Sequence, residues 1–309
     1  MIRRLLPTVA GISVLFLVIA VALASRAVHA QVSMIVTGLP DEGLILIGPA
    51  DAGFNKHLKG LLADETTPEL DALRSYSVIL RNNSRQTVIA YALRWEYTNT
   101  DGKRVHVDLS DGQITRLMNG AIRKTRTEHD KVGPAIEAHS WVVATPATIL
   151  KTSSGARDRA NDSNYQDFLQ KLVTRFQGKD VSVTLDGAFF EDGSFVGPNG
   201  SHLFENFGSE VSAQQNLLQH VIEAAQQGRS MDDVAREIQA SLPDSPPKPT
   251  LAPDGTILLD DQYYRHKYAS RFLSVYRNAG QESALGWAKD HLFQNPPKLT
   301  NLNSKETKP

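Results

Sequence analysis

Eleven consecutive residues, Thr87 to Tyr97, alternate so strictly that they constrain everything around them. Ile89, Tyr91, Leu93, Trp95 and Tyr97 fall on one side, and Val88, Ala90, Ala92, Arg94 and Glu96 on the other. A period of two is that of a half-buried β-strand, with one row of side chains in a core. The neighbouring runs repeat it: Tyr76 to Arg81 before, and Val105, Val107 and Leu109 after, with Arg104, His106 and Asp108 between them. The connectors Asn82-Asn83-Ser84-Arg85-Gln86 and Asn99-Thr100-Asp101-Gly102 are rich in residues that tolerate positive φ. The three runs are therefore expected to form an antiparallel meander with Trp95 in the core.

The same period returns at Ser140 to Thr145 and at Val181 to Phe190, where Val181, Val183, Leu185 and, past Gly187, Phe189 share a side. Glu191-Asp192-Gly193 then turns the chain into Ser194 to Val196, a second hairpin. Met34 to Val36 and Leu44 to Ile47 read as short edge strands, and Phe54 to Leu62 as a short helix. Gly155 to Gln177 reads as an insertion whose helix, Tyr165 to Phe176, carries Phe168, Leu169, Leu172, Val173 and Phe176 at helical spacing. Residues 31–200 thus predict a β-sandwich with a helical insertion near 160–177.

After Gly200 the period becomes helical, and residues 201–242 predict a helical extension. Ser212 with Gln215 has the form of a capping box, Leu217, Leu218, Val221, Ile222 and Ala225 make one stripe, and Gly228 stops it; Ser230 with Asp233 starts a second helix. Five prolines between Pro243 and Pro253 forbid helix, so residues 243–256 read as a Pro-rich linker. Residues 257–294 predict a hairpin of two helices, Gln262 to Asn278 and Glu282 to Phe293. Trp287, Leu292 and Phe293 are expected to meet the aromatic face of the first, with light docking on the rest. The polar tail, residues 295–309, is expected to be disordered.

Arg3 and Arg4 precede an apolar run from Val9 to Ala24, and Val28-His29-Ala30 has the small residues that suit a signal peptidase. Residues 1–30 therefore read as a signal peptide, with a mature chain from Gln31. At about 1.5 Å per residue the run is shorter than the ~30 Å hydrocarbon core, which favours cleavage over anchoring. The full chain carries 33 basic and 34 acidic residues, and losing Arg3, Arg4 and Arg26 shifts the balance further toward acid, which is no nucleic-acid footprint. Cysteine is absent, which excludes disulfides, thiolate chemistry and thiolate metal sites. An exported chain without cysteine fits the bacterial envelope or secretome, so the expected location is periplasmic or secreted.

The segment Ser75 to Val107, with its Asn82-Asn83-Ser84 turn and long strand ending in Trp95-Glu96-Tyr97, resembles the Ig-like modules of exported bacterial proteins. The resemblance covers roughly residues 75 to 200 and lacks the cysteine pair that flanks the core tryptophan in antibody domains. It implies an α+β chain, an antiparallel Ig-like β-sandwich followed by a C-terminal helical region. It implies no reaction, because such scaffolds host binding and catalysis alike.

Enzyme signatures are missing: there is no His-Glu-x-x-His, Gly-x-Ser-x-Gly, phosphate loop or dinucleotide fingerprint. Asp186, Glu191, Asp192 and Asn199 are oxygen donors near one hairpin, at a spacing that matches no calcium loop. His106, His129 and His139 are scattered, and His220 with Glu223 lacks a third zinc ligand, so no metal and no cofactor is expected. The densest cluster runs from Tyr263 to Arg277. There Tyr264, Tyr268 and Phe272 share a helix face with Arg265 and Lys267 on its flanks, and together with Arg265 and Arg271 the three aromatics make five residues of a composition favoured in binding hot spots. These five residues are the candidate binding site. The expected function is non-catalytic protein interaction with an envelope or extracellular partner, without nucleic acid, and with membrane contact only through an uncleaved signal segment. The alternative is a secreted hydrolase whose site is assembled from residues distant in sequence.

Overall fold

The computed structural model describes residues 34–62, 67–112, 135–150, 163–293 and 298–305. The signal segment and His129 lie outside them. The first part of the chain supplies strands β1 (Met34–Thr37) and β2 (Leu44–Ile47), helices α1 (Phe54–Leu62) and α2 (Pro68–Leu73), and strands β3 (Val78–Asn82), β4 (Val88–Thr98), β5 (Arg104–Gly112), β6 (Trp141–Ala144) and β7 (Ile149–Leu150). Helix α3 (Ser163–Phe176), β8 (Val181–Phe190) and β9 (Ser194–Val196) follow. The helical region then runs through α4 (Leu203–Gln226), α5 (Met231–Ser241), a small hairpin β10 (Thr250–Leu251) and β11 (Ile257–Leu258), and α6 (Asp261–His291), and the chain closes on β12 (Thr300–Asn301). The fold is mixed α+β with a helical C-terminal region.

The main sheet runs β12-β9-β8-β4-β5, with β1 on the same edge of β8 that β9 uses further along. The second sheet is β2-β3-β6-β7. The expected meander is therefore split: β3 belongs to the second sheet, and the Asn82 turn carries the chain between sheets. Asn82 is fully buried there, donating to the carbonyls of Gln86, Ile136 and Glu137 and accepting from Ser84. Two pairings are parallel, β1 on β8 and β12 on β9, so the main sheet is mixed rather than antiparallel.

The two sheets share one core, in which Tyr91, Leu93 and Trp95 of β4 meet Val78 and Leu80 of β3. Trp95 is fully buried and its indole N–H donates to the Tyr76 carbonyl at 2.8 Å. Helix α3 closes this core with Leu169, Leu172 and Phe176, the last against both Tyr76 and Tyr97, while Phe168 is 44% exposed. The other face of β4 is also covered. A register irregularity between Val88 and Ala90 turns Ile89 away from Tyr91, and Ile89, Ala90 and Ala92 pack with Phe189, Phe195 and Phe207. The strand expected to be half-buried is thus buried on both faces along its first half, where alanines leave room for phenylalanines.

Helix α4 starts nine residues before the expected capping box. In its first turn Phe204 N donates to Asn199 Oδ1, and the buried Asp186 carboxylate holds the turn that leads into the helix, accepting from Gly200 N and Ser201 N. Gln215 instead clasps the chain beyond α6, accepting from Phe293 N and donating to its carbonyl. Ser230 caps α5 and Asp260 caps α6. Gly280, with φ 82° and ψ 177°, breaks α6 into two segments, a backbone state open to glycine at no steric cost. Both segments share a core with α4 and α5, built on Leu218, Val221, Val234, Phe272, Ala284 and Ala288. Trp287 and Leu292 pack at its border, but Phe293 joins the phenylalanines on the main sheet. Within the polar tail, Thr300 and Asn301 pair with Ser194 and Phe195.

Candidate functional site

Two clusters of polar side chains stand out. The first lies at the end of the main sheet, where Arg94 is sandwiched between β5, the turn before α4 and the β10–β11 hairpin. Its side chain is 12% exposed, and it donates to both Asp108 oxygens at 2.7 and 2.9 Å, to the Gly200 carbonyl at 2.9 Å and to Thr256 Oγ1 at 3.1 Å. A Cβ at Gly200 would sit 2.7 Å from the guanidinium, so any larger residue there would have to shift Arg94. Burial works against the Arg94 charge, but the hydrogen bonds and field of Asp108, with Asp186 and Asp254 behind, outweigh it and hold the pKa above its ordinary value.

His106, on the polar row of its strand by the alternation, is half-buried in this network. Its Nε2 lies 3.5 Å from Asp108 and 3.3 Å from Thr256 Oγ1. Thr256, His106 and Asp108 are the residue types of a nucleophile, a base and an orienting acid, but the geometry differs. A relay needs the two ring nitrogens on different partners, and here one nitrogen faces both. The Thr256 hydroxyl also donates to Asp254 at 2.8 Å, and its residue is 3% exposed. The cluster closes on itself and latches the hairpin to the sheet.

The second cluster lines a cleft of about 650 Å³ among α4, α5, the start of α6 and the Pro-rich segment. Leu217, Ile238, Leu242 and Ala269 give it apolar walls, and Pro243 and Pro247 run along one side. Asn216, His220, Glu237, Gln262, Arg265 and His266 supply the polar groups. Helix α4 brings Asn216, Leu217 and His220 to one face by its i, i+1, i+4 spacing, and α6 does the same with Gln262, Arg265, His266 and Ala269. Glu237 is spent: one oxygen takes Arg229 at 2.5 Å and the other His220 at 3.2 Å, and these partners hold its carboxyl below the ordinary range. The expected neighbour of His220, Glu223, bonds Gln219 instead.

Of the five candidate binding residues, only Arg265 lines the cleft, its Nε 2.5 Å from Asp261. Phe272 is fully buried in the helical core and Tyr264 is 5% exposed. Tyr268 donates its hydroxyl to Glu210 at 2.7 Å, and Lys267 meets the same oxygen at 2.6 Å. Burial, reinforced by the Glu210 charge, pushes both the Tyr264 and Tyr268 phenols above 10.0. Arg271 stands on the exposed side of the helix.

Among the described residues, no three His, Asp or Glu side chains converge as metal ligands. Asp186 serves backbone N–H groups, Asp192 accepts from Ser194, and Asn199 accepts from Phe204 N, so these three hairpin oxygens are engaged separately. No helix among the described residues is long and apolar enough to cross a membrane. Compared with protein-family models, curated proteins and solved structures, the chain matches none.

Proposed function

We propose that the chain is an exported, non-catalytic binding protein of the bacterial envelope or extracellular space, and that the cleft among α4, α5 and α6 receives its partner. The observation that carries this reading is the cleft itself. Its apolar walls, with Gln262 and His266 unspent at the rim, are the form of a recognition site, and its volume falls within the ~300–1,000 Å³ of such sites. The resemblance to Ig-like modules enters here as scaffold: two sheets around Trp95 support it, and the helices over the outer face and the parallel β1–β8 pair depart from it. Export supports an envelope partner, and native protein is then expected to begin at Gln31, which N-terminal sequencing reads directly.

The test is crosslinking capture from native envelope with the mature chain as bait, beside Ser241→Trp. Ser241 is exposed at the cleft, so an indole there fills the space without entering the core. Loss of a specific partner in the Ser241→Trp sample, at unchanged unfolding midpoint, supports the reading. Capture that is indifferent to this plug refutes it.

A further inference from the structure

We infer that the cleft binds a small amphiphile with an aliphatic body and an anionic end. The inference rests on the cleft being the binding site and adds the chemistry of what enters it. Leu217, Ile238 and Leu242 offer a surface that an alkyl chain can cover, and the volume suits a small molecule. The charge of the rim selects the other end. Among the described residues, Glu237 is the one carboxylate lining the cleft, and both its oxygens are taken by Arg229 and His220. What remains is cationic or a donor. The Arg265 side chain is 63% exposed beside the opening with its Nε on Asp261 at 2.5 Å, and the half-buried His266 and the Gln262 amide have no side-chain hydrogen bond among the described residues. A cationic ligand meets no unspent acceptor of like strength, whereas a carboxylate or phosphate meets the outer Nη edge of a guanidinium paired only through Nε, together with an imidazole and an amide.

The experiment is calorimetric titration of the full mature chain with dodecanoate, dodecyl phosphate, dodecanol and dodecyltrimethylammonium, each below its micelle concentration. Dodecanoate or dodecyl phosphate is expected to bind at one saturable site, at least about tenfold tighter than the alcohol or the ammonium. The two anions separate a carboxylate from a phosphate preference. Arg265→Ala with His266→Ala is expected to weaken the anion by about tenfold or more and leave dodecanol unchanged. Ser241→Trp is expected to abolish binding of all four. Dodecanol or the ammonium binding as tightly as the anions, an anion that still binds the Ser241→Trp protein, or no anion binding at all overturns the inference. If partner capture remains sensitive to Ser241→Trp while no amphiphile binds, the ligand class fails and the cleft reading stands.

Discussion

Removing the Arg94 guanidinium is the sharpest test of how the helical region is held to the sheets. In Arg94→Ala, Asp108, Asp186 and Asp254 lose the cation they share, and the Gly200 carbonyl and Thr256 hydroxyl lose a donor. Breaking a buried pair by deleting one partner costs about 3–5 kcal/mol, because the other charge is left desolvated. The Arg94 and Asp108 side chains are 12% and 19% exposed, so that figure applies to them; Asp254 at 48% is solvated and adds little. The network reaches water through Asp254, which places the expected loss near the lower end, about 3 kcal/mol of a total of about 5–15. Denaturant unfolding of Arg94→Ala, Asp108→Asn and the double variant gives the coupling directly, expected at about 2 kcal/mol or more. Hydrogen exchange adds location: the amides from Leu251 to Leu259 are expected to lose protection first, since Thr256 anchors that hairpin. A coupling under about 0.5 kcal/mol, or a hairpin whose exchange does not change, refutes the latch.

Trp95→Ala is expected to cost about 3–5 kcal/mol by denaturant midpoint, since it empties the centre of the shared core and orphans the Tyr76 carbonyl; under about 1 kcal/mol would contradict the burial. A chain ending at Leu242 loses Tyr264, Phe272, Leu273 and Phe293 from buried positions, at about 1.5–3 kcal/mol each. It is expected to lose cooperative unfolding, and a full-length midpoint in that truncation would refute the packing described. Stability carried by the neutral Tyr264 and Tyr268 phenols is complete below pH 10.0 and declines as pH rises toward their raised folded values. Tyr264→Phe is expected to flatten that alkaline decline in a pH series of unfolding midpoints, and an unchanged slope would refute it.

The strands were legible because their information is local. Thr87 to Tyr97, Val181 to Phe190 and the connector Asn99 to Gly102 identify themselves by alternation and turn chemistry, whatever lies across from them. Which sheet a strand joins is a different kind of fact. Tyr76 to Arg81 reads the same as a meander partner or as a strand of the facing sheet, and the choice is made by buried contacts between Val78, Leu80 and residues far along the chain. The bulge beside Ile89 is equally silent, since no glycine or proline marks it. The start of α4 was missed for a physical reason too: Asn199, which accepts from its first turn, and Asp186, which holds the turn before it, both lie upstream of the helix, the latter in strand β8, so no capping-box pattern marks the true start.

The candidate site divides along the same line. The Arg94–Asp108 pair was within reach of the sequence, because the Asn99–Gly102 turn fixes the β4–β5 register and places the two residues opposite each other. Opposite charges in directly paired positions are a readable signal. The cleft was not readable, for the aromatic residues that attract attention at Tyr264, Tyr268 and Phe272 do so by being large and apolar, and that is the reason they are drawn inward. Their helix presents to the cleft the residues between them: Arg265, which the sequence marks only as a flank of the aromatic face, and His266 and Ala269, which look ordinary one by one. The residues that line an amphipathic cleft are those a helix can leave partly wet without losing its core, so a reading that ranks positions by apolar weight selects the packing face and passes over the cleft face beside it. In this chain the two faces are one residue apart.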